Sequence, residues 1–216
     1  MARFLSLIGH PLLVLTWVLL LMLATYPYGF GVGHLDEQRA RVLVLTVFIT
    51  TFLLPGMGVA IMRPLGLIQS LEMHDKQERT GPYILTGVFY LWVFKSLLSD
   101  VQMPPLFVGF ALGTTIGLFL AFFANIFTKI SAHAVGMGGL ATMVLLMCLR
   151  WPVMGLDLPL PGHRLLLSGP ALLAVALLFA GAVGMSRLRL RAHEPADLYR
   201  GYAAGVAAVL LGQILA

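Results

Sequence analysis

Four residues, Ser186, Arg187, His193 and Asp197, stand at a spacing that could do chemistry on a bound phosphate. They belong to MSRLRLRAHEPADLYRG, residues 185–201, which lies between two apolar stretches. A guanidinium group neutralises and orients a phosphate. A histidine attacks phosphorus only if one ring nitrogen keeps its lone pair while an acceptor holds the proton on the other. The segment therefore predicts His193 as a nucleophile, Asp197 as its orienting carboxylate and Arg187 as a phosphate ligand.

The local sequence indicates how His193 and Asp197 meet. Glu194 followed by Pro195 is typical of a helix N-cap with proline at the first helical position. His193 then lies just outside the helix and Asp197 in its first turn. From that position the carboxylate can reach back to the imidazole.

A second polar cluster, KISAH at 129–133, opens another apolar stretch. Ser131 can donate a hydroxyl hydrogen bond to a phosphate, and if it caps the following helix, free backbone amides also face the anion. A second histidine can protonate a departing oxygen. We therefore expect Ser131 to bind phosphate and His133 to act as the general acid.

A third cluster, HDKQERTGPY at 74–83, supplies further positive charge. Lys76 and Arg79 are candidate phosphate ligands. The alternative is that Asp75 and Glu78 pair with them on a solvated loop, where such pairs contribute little. The sequence leaves both interpretations open.

Together the three clusters resemble the signatures of the type 2 phosphatidic acid phosphatase (PAP2) superfamily, membrane histidine phosphatases related to vanadium haloperoxidases. The pattern Ser-Arg-x5-His-x3-Asp at 186–197 matches that family's third signature at every fixed position. Ile-Ser-Ala-His at 130–133 keeps the serine and histidine of the second signature, Pro-Ser-Gly-His. Lys76, Arg79 and Pro82 give a compressed form of the first, Lys-x6-Arg-Pro.

The resemblance implies a phosphatase that acts on a lipid phosphate or diphosphate through a phosphohistidine intermediate. Phosphatidic acid, phosphatidylglycerol phosphate and undecaprenyl diphosphate represent the expected substrate class. No cofactor or metal is expected. Two alternatives stay open: a lipid phosphotransferase on the same fold, and a catalytically decayed protein that binds phospholipid.

The composition predicts an integral membrane protein. Of the 216 residues, 59% are hydrophobic and 11% charged, and the mean hydropathy is +0.93. Continuous apolar runs without alternation indicate helices, because a helix satisfies its own backbone hydrogen bonds in lipid. The expectation is one all-α domain over residues 1–216, a bundle of six to seven transmembrane helices of PAP2-like type. Its partners are membrane lipids and no nucleic acid, although a net charge of +5 alone discriminates little.

Apolar runs of spanning length place the three polar clusters on one membrane face. The predicted spans are 5–26, 42–62, 83–99, 105–128, 132–150, 168–185 and 199–216. The third and seventh are short, so six spans is the alternative count. Two crossings separate each cluster from the next, which returns the chain to the same side. His10 and His74 are expected to be structural, His34 and His163 to be ordinary loop residues, and Arg189 and Arg191 to contact lipid headgroups.

Charge leaves the orientation in the membrane ambiguous. Nine cationic residues fall on the face of the clusters: Arg3, Arg63, Lys76, Arg79, Lys129, Arg187, Arg189, Arg191 and Arg200. Five fall on the other: Arg39, Arg41, Lys95, Arg150 and Arg164. The full count favours a cytoplasmic site. When the proposed phosphate ligands Lys76, Arg79 and Arg187 are left out, the two faces carry nearly equal charge and the count no longer indicates an orientation. The family resemblance implies a bacterial inner membrane and a periplasmic site, which we take as the expectation.

Overall fold

The apolar runs form helices of the length that a bilayer requires. The computed structural model describes residues 1–70, 77–160 and 162–216. Within these residues seven helical segments are long and apolar enough to span a membrane. The predicted all-helical architecture is confirmed, with seven segments rather than six. The third and seventh begin earlier than predicted, at Thr80 and Pro195.

The helical segments and one short hairpin account for most of the chain. The helices are α1 (Ala2–Ile8), α2 (Val14–Thr25), α3 (Gln38–Phe48), α4 (Leu54–Met62), α5 (Thr80–Leu98), α6 (Pro105–Phe127), α7 (Ala132–Arg150), α8 (Gly169–Arg189) and α9 (Pro195–Leu215). The strands are β1 (Gly155–Leu160) and β2 (His163–Ser168). Single 3-10 turns cover Pro11–Leu13, Pro27–Phe30 and Gln77–Arg79, and a π turn covers Ile49–Leu53.

The first spanning segment is broken near its start, where the sequence predicted one continuous span. Pro11 lacks a backbone N–H and disfavours helical geometry in the preceding residue. His10 accordingly has an extended backbone, and its Nδ1 accepts a hydrogen bond from the Leu12 backbone N–H at 3.3 Å. Gly9 lies close against Val183. Helix α1 thus turns away from α2 and packs on α8.

The second spanning segment combines α3 and α4 around the π turn. Pro55 follows this turn and cannot donate the backbone hydrogen bond that a regular helix needs at that point. Thr51 donates its hydroxyl to the Val47 carbonyl at 2.8 Å inside the irregular region. The segment remains helical across the irregularity, with little of it buried inside the bundle.

Helices α7 and α9 approach each other through glycine. A Cβ at Gly205 would overlap the carbonyl oxygen of Val135 and press on the backbone nitrogen of Gly139. A Cβ at Gly201 would press on Ser131 O at 2.8 Å. Backbone-to-backbone contact of this kind is available only to residues without a side chain. It brings the N-terminal ends of α7 and α9, which carry the polar clusters, directly beside each other.

The two ends of the bundle differ. Large, fully buried apolar side chains such as Leu19, Met22, Phe30, Phe107 and Met143 fill the half away from the polar clusters. That end also carries the β1–β2 hairpin, paired antiparallel from Gly155–Ser168 to Leu160–His163. The sequence predicted only a connection there, although Gly162, at φ +81°, supplies a tight turn between alternating leucines. The polar clusters meet at the opposite end.

Candidate active site

His193 and Asp197 form a hydrogen-bonded pair at the start of α9. Glu194 is the N-cap, Pro195 follows it, and Asp197 is the third helical residue, as predicted. Asp197 Oδ2 accepts a hydrogen bond from the Glu194 backbone N–H and lies 3.2 Å from His193 Nδ1. A carboxylate facing Nδ1 selects the tautomer with its proton on that nitrogen. The lone pair is then on Nε2, and His193 lines the large cavity described below.

His193 is held in its neutral form. The pKa of His193 is lowered from 6.5 to about 4, mainly by burial and in smaller part by the positive charges of Arg187 and Lys129. The hydrogen bond and the charge of Asp197 raise the pKa, but by less than the other causes lower it. A neutral imidazole with a free nitrogen is the form that can attack an electrophile. At neutral pH His193 therefore has the protonation state that the predicted nucleophile requires.

Arg187 is a partly buried cation without a counter-ion among the described residues. It lies in the last turn of α8 and donates a hydrogen bond from Nη1 to Ser6 Oγ at 2.7 Å. Its Nε is buried without a hydrogen-bond partner in the described structure. Buried charges are normally paired. An anion in the cavity would satisfy both the charge and the unused donor, in agreement with the predicted role of Arg187 as a phosphate ligand.

Ser131 caps helix α7, as the sequence predicted. Its Oγ accepts a hydrogen bond from the Ala134 backbone N–H at 3.4 Å, and its own backbone N–H donates to the Asp197 carbonyl at 3.3 Å. The residue is fully buried, at 0% exposure, and its neighbours Ile130 and Ala132 rather than Ser131 itself line the cavity. Its observed contacts are structural, and the predicted phosphate contact remains a prediction.

His133 lines the cavity from the first turn of α7. Its Nε2 lies 3.0 Å from the backbone carbonyl oxygen of Ser6 and 3.2 Å from Ser6 Oγ. Because a carbonyl oxygen only accepts, this contact assigns a proton to Nε2. Nδ1 is then the nitrogen of His133 that can gain or release a proton in a reaction.

Of the two predicted phosphate ligands Lys76 and Arg79, the structure describes only Arg79. Lys76 lies outside the described residues. Arg79 precedes α5, lines the cavity and donates from Nη1 to Asn125 Oδ1 at 3.1 Å. Asn125, near the end of α6, is buried at 4% exposure. The sequence analysis did not single it out, although an asparagine inside the apolar run FFANIF was a usable signal.

These groups surround one cavity of about 980 Å³. Five cationic side chains line it: Arg3, Arg79, Lys129, Arg187 and Arg191. No aspartate or glutamate is found among its lining residues in the described structure. Arg191 had been expected at lipid headgroups; instead it contributes to this positively charged wall. The excess of positive charge around the cavity favours the binding of an anion.

The N-terminal segment contributes residues that the sequence analysis passed over. Arg3, Ser6, Leu7 and His10 all line the cavity. Arg3, Ser6 and Leu7 are spaced by three and four residues, which places them on one face of α1, and this pattern could have been read from the sequence. The ring of His10 contacts that of His133 edge-to-face, with centroids 5.4 Å apart. His10, expected to be merely structural, is thus part of the site wall.

Comparison with known proteins adds no assignment. No family model matches the sequence, and searches of curated proteins and of solved structures give no significant match.

Proposed function

We propose that the protein is a membrane phosphatase of PAP2-like type that removes phosphate from a lipid phosphate or lipid diphosphate. One observation carries the proposal: the neutral His193, oriented by Asp197, shares a cavity with the guanidinium of Arg187, which has no counter-ion among the residues that the structure describes. A nucleophile and a fixed positive charge are the two components that attack on a phosphate ester requires.

The shape of the cavity supports a lipid as the carrier of the phosphate. Its cationic side chains come from the polar end of the bundle, whereas its inner walls come from the spanning helices. These inner walls are apolar or small, including Gly117, Leu118, Ala121, Val135 and Ala208. A ligand with an anionic head and a hydrocarbon tail would match both regions.

In the first proposed step, His193 Nε2 attacks the phosphorus while Nδ1–H remains bonded to Asp197. The bond between phosphorus and the lipid oxygen, or the bridging oxygen of a diphosphate, breaks as the N–P bond forms. The departing oxygen takes a proton from Nδ1 of His133, which enters this step as the imidazolium and leaves it as the neutral Nε2–H form. Arg187 and Arg79 balance the negative charge on the remaining phosphoryl oxygens.

In the second step, water attacks the phosphorus of phosphohistidine. The water gives a proton to His133, which restores that residue for the next cycle. The N–P bond breaks, its electron pair returns to Nε2 of His193, and inorganic phosphate leaves. His133 thus acts as acid in one step and as base in the other.

The assignment to a PAP2-like type rests on sequence spacing together with this arrangement. The third signature contributes Arg187, His193 and Asp197 to neighbouring positions at one end of the bundle. The second contributes His133, in spite of the substitutions around it. For the first signature, Arg79 lines the same cavity, which favours a phosphate-binding role over a solvated surface pair.

The test is phosphate release by purified protein from a panel of phosphatidic acid, phosphatidylglycerol phosphate and undecaprenyl diphosphate. We expect His193→Ala to lower the rate roughly 10³-fold or more, because the nucleophile is lost. Equal rates for this variant and the parent would overturn the mechanism. Release that occurs only after addition of a second lipid would instead indicate a phosphotransferase.

We also propose that the site faces the periplasm of a bacterial inner membrane. Two single-cysteine variants, made in a Cys148→Ser background because Cys148 is a free thiol, test this: Arg191→Cys at the site end and Val101→Cys, 98% exposed, at the other. With a membrane-impermeant maleimide added to right-side-out vesicles, Arg191→Cys is expected to react and Val101→Cys to remain protected. The reverse pattern would place the site in the cytoplasm.

A further inference from the structure

Ser6 lies between the two groups on which the proposed phosphatase depends. Its hydroxyl accepts from Arg187 Nη1 at 2.7 Å, and its backbone carbonyl accepts from His133 Nε2 at 3.0 Å. The residue is buried, at 8% exposure, and lines the cavity. One serine of α1 thereby contacts helices α7 and α8 at the point where each enters the site.

The break in the first span makes these contacts possible. Because the helix is interrupted between Ile8 and Val14, α1 can lie against α8. The close approach of Gly9 to Val183 sets the distance between the two helices. A continuous helix would keep the direction of α2. The break lets α1 take a different direction, along α8, and this places Ser6 at the site.

The two contacts of Ser6 have different consequences. The hydrogen bond to Nη1 fixes the plane of the Arg187 guanidinium, leaving Nε as its buried and unused donor. The carbonyl contact keeps a proton on Nε2 of His133 and so assigns proton transfer to Nδ1.

We infer that Ser6 is a positioning residue of the site, holding Arg187 in the orientation that binds the phosphoryl group and His133 in its reactive tautomer. The inference rests on the proposed phosphatase function. It is additional to the signature residues, because Ser6 belongs to none of the three polar clusters. Among the described residues, Ser6 Oγ is the hydrogen-bond acceptor found for the Arg187 side chain.

The experiment compares parent, Ser6→Ala and Ser6→Thr, with Ser96→Ala as the control. Ser96 is an exposed serine of α5 whose hydroxyl donates to the Trp92 carbonyl, away from the cavity. Binding of inorganic phosphate to the detergent-solubilised full chain is measured by calorimetry, together with Tm, kcat and KM on phosphatidic acid. A final pair, Arg187→Ala with and without Ser6→Ala, tests whether Ser6 acts through the arginine.

We expect Ser6→Ala to weaken phosphate binding and raise KM about tenfold, the usual worth of a hydrogen bond to a charged group, with a smaller effect on kcat. Ser6→Thr should restore both, Ser96→Ala should change neither, and Ser6→Ala should add nothing in the Arg187→Ala background. Unchanged phosphate binding in Ser6→Ala would overturn the inference. So would a loss that tracks a lowered Tm and that threonine does not restore. A parent that binds phosphate but hydrolyses no lipid would refute the phosphatase, while the binding comparison would still decide the role of Ser6.

Discussion

The backbone N–H of Ser131 donates a hydrogen bond to the backbone carbonyl of Asp197 at 3.3 Å. This bond joins the N-terminal cap of α7 to the first turn of α9, so it fixes the start of one helix beside that of the other. Because both partners are backbone atoms, the junction can survive substitution of nearby side chains. Substitutions at His193 and Asp197 can therefore report on chemistry rather than on loss of the fold.

Asp197→Asn tests the charge that faces the nucleophile. Asp197 Oδ2 faces both His193 Nδ1 and the Glu194 backbone N–H. An amide oxygen in that position keeps both hydrogen bonds but removes the negative charge, which in the proposed mechanism stabilises the positive charge that develops on His193 as the N–P bond forms. We expect kcat for phosphate release to fall roughly 10³-fold at nearly unchanged Tm. Asp157→Asn, in the hairpin at the other end, is the control and should keep the parent rate.

The pH at which activity is lost on the acid side should be well below the pKa of an ordinary histidine. Since the pKa of His193 is about 4, the free enzyme keeps its nucleophile neutral down to that pH. A plot of log(kcat/KM) should show no loss attributable to this residue near pH 6.5. In Lys129→Gln, removal of a neighbouring positive charge should raise the pKa and move the acid limb of this plot to higher pH. A limb that stays in place in this variant would contradict the assignment.

The same ionisation links stability to pH. Between pH 6.5 and about 4 the unfolded chain binds a proton at His193 that the folded protein does not. The free energy of unfolding should therefore decrease as the pH is lowered through this window and level off below it. Replacing His193 by glutamine should remove this part of the dependence, which denaturant titrations at several pH values can measure.

Gly205→Ala should separate α7 and α9, whose N-terminal ends hold the two histidines of the proposed site. The new methyl group would overlap backbone atoms of Val135, and relieving such overpacking costs about 1–3 kcal/mol. Because the histidines would move apart, activity should fall on the order of 10²-fold. Gly181→Ala provides the matched control, since a Cβ at Gly181 meets nothing within 4 Å. Thermal unfolding and phosphate release should both be unaffected or slightly improved in that variant.

Arg191 offers a test of backbone strain beside the site. Helix α8 ends with hydrogen bonds from Arg191 N to Leu188 O and from Ala192 N to Arg187 O, the pattern of a Schellman motif. The motif holds Arg191 at φ +50°, where glycine is usual. Arg191→Gly should therefore raise the free energy of unfolding by about 1 kcal/mol, and Arg189→Gly, inside the helix, should lower it. A destabilised Arg191→Gly variant would show that the side chain contributes more than its backbone conformation costs.

The sequence predicted those parts of the site that depend on local spacing. The cap at Glu194, the reach of Asp197 to His193 and the capping role of Ser131 all follow from offsets of a few residues. The parity of membrane crossings correctly brought these groups to one end of the bundle. Such patterns are visible in a single sequence because the interacting residues lie in the same turn or on alternate helices.

Contacts between distant parts of the chain were not predictable in this way. Ser6 and His133 lie 127 residues apart, and no local pattern connects them. The break before Pro11 was a readable signal, but the packing of α1 against α8 depends on the shape of both helices. The asparagine in FFANIF was visible in the sequence, but its contact with Arg79, which precedes another span, was not.

The hydrogen bond from Arg187 to Ser6 joins residues 181 positions apart, and α9 must be added before His193 and Asp197 can face them. The first residue of this arrangement thus enters the membrane long before the last is synthesised. In the proposed mechanism the site is therefore incomplete until α9 has been inserted, so a truncated chain that lacks this helix would be unable to attack the phospholipids that surround it.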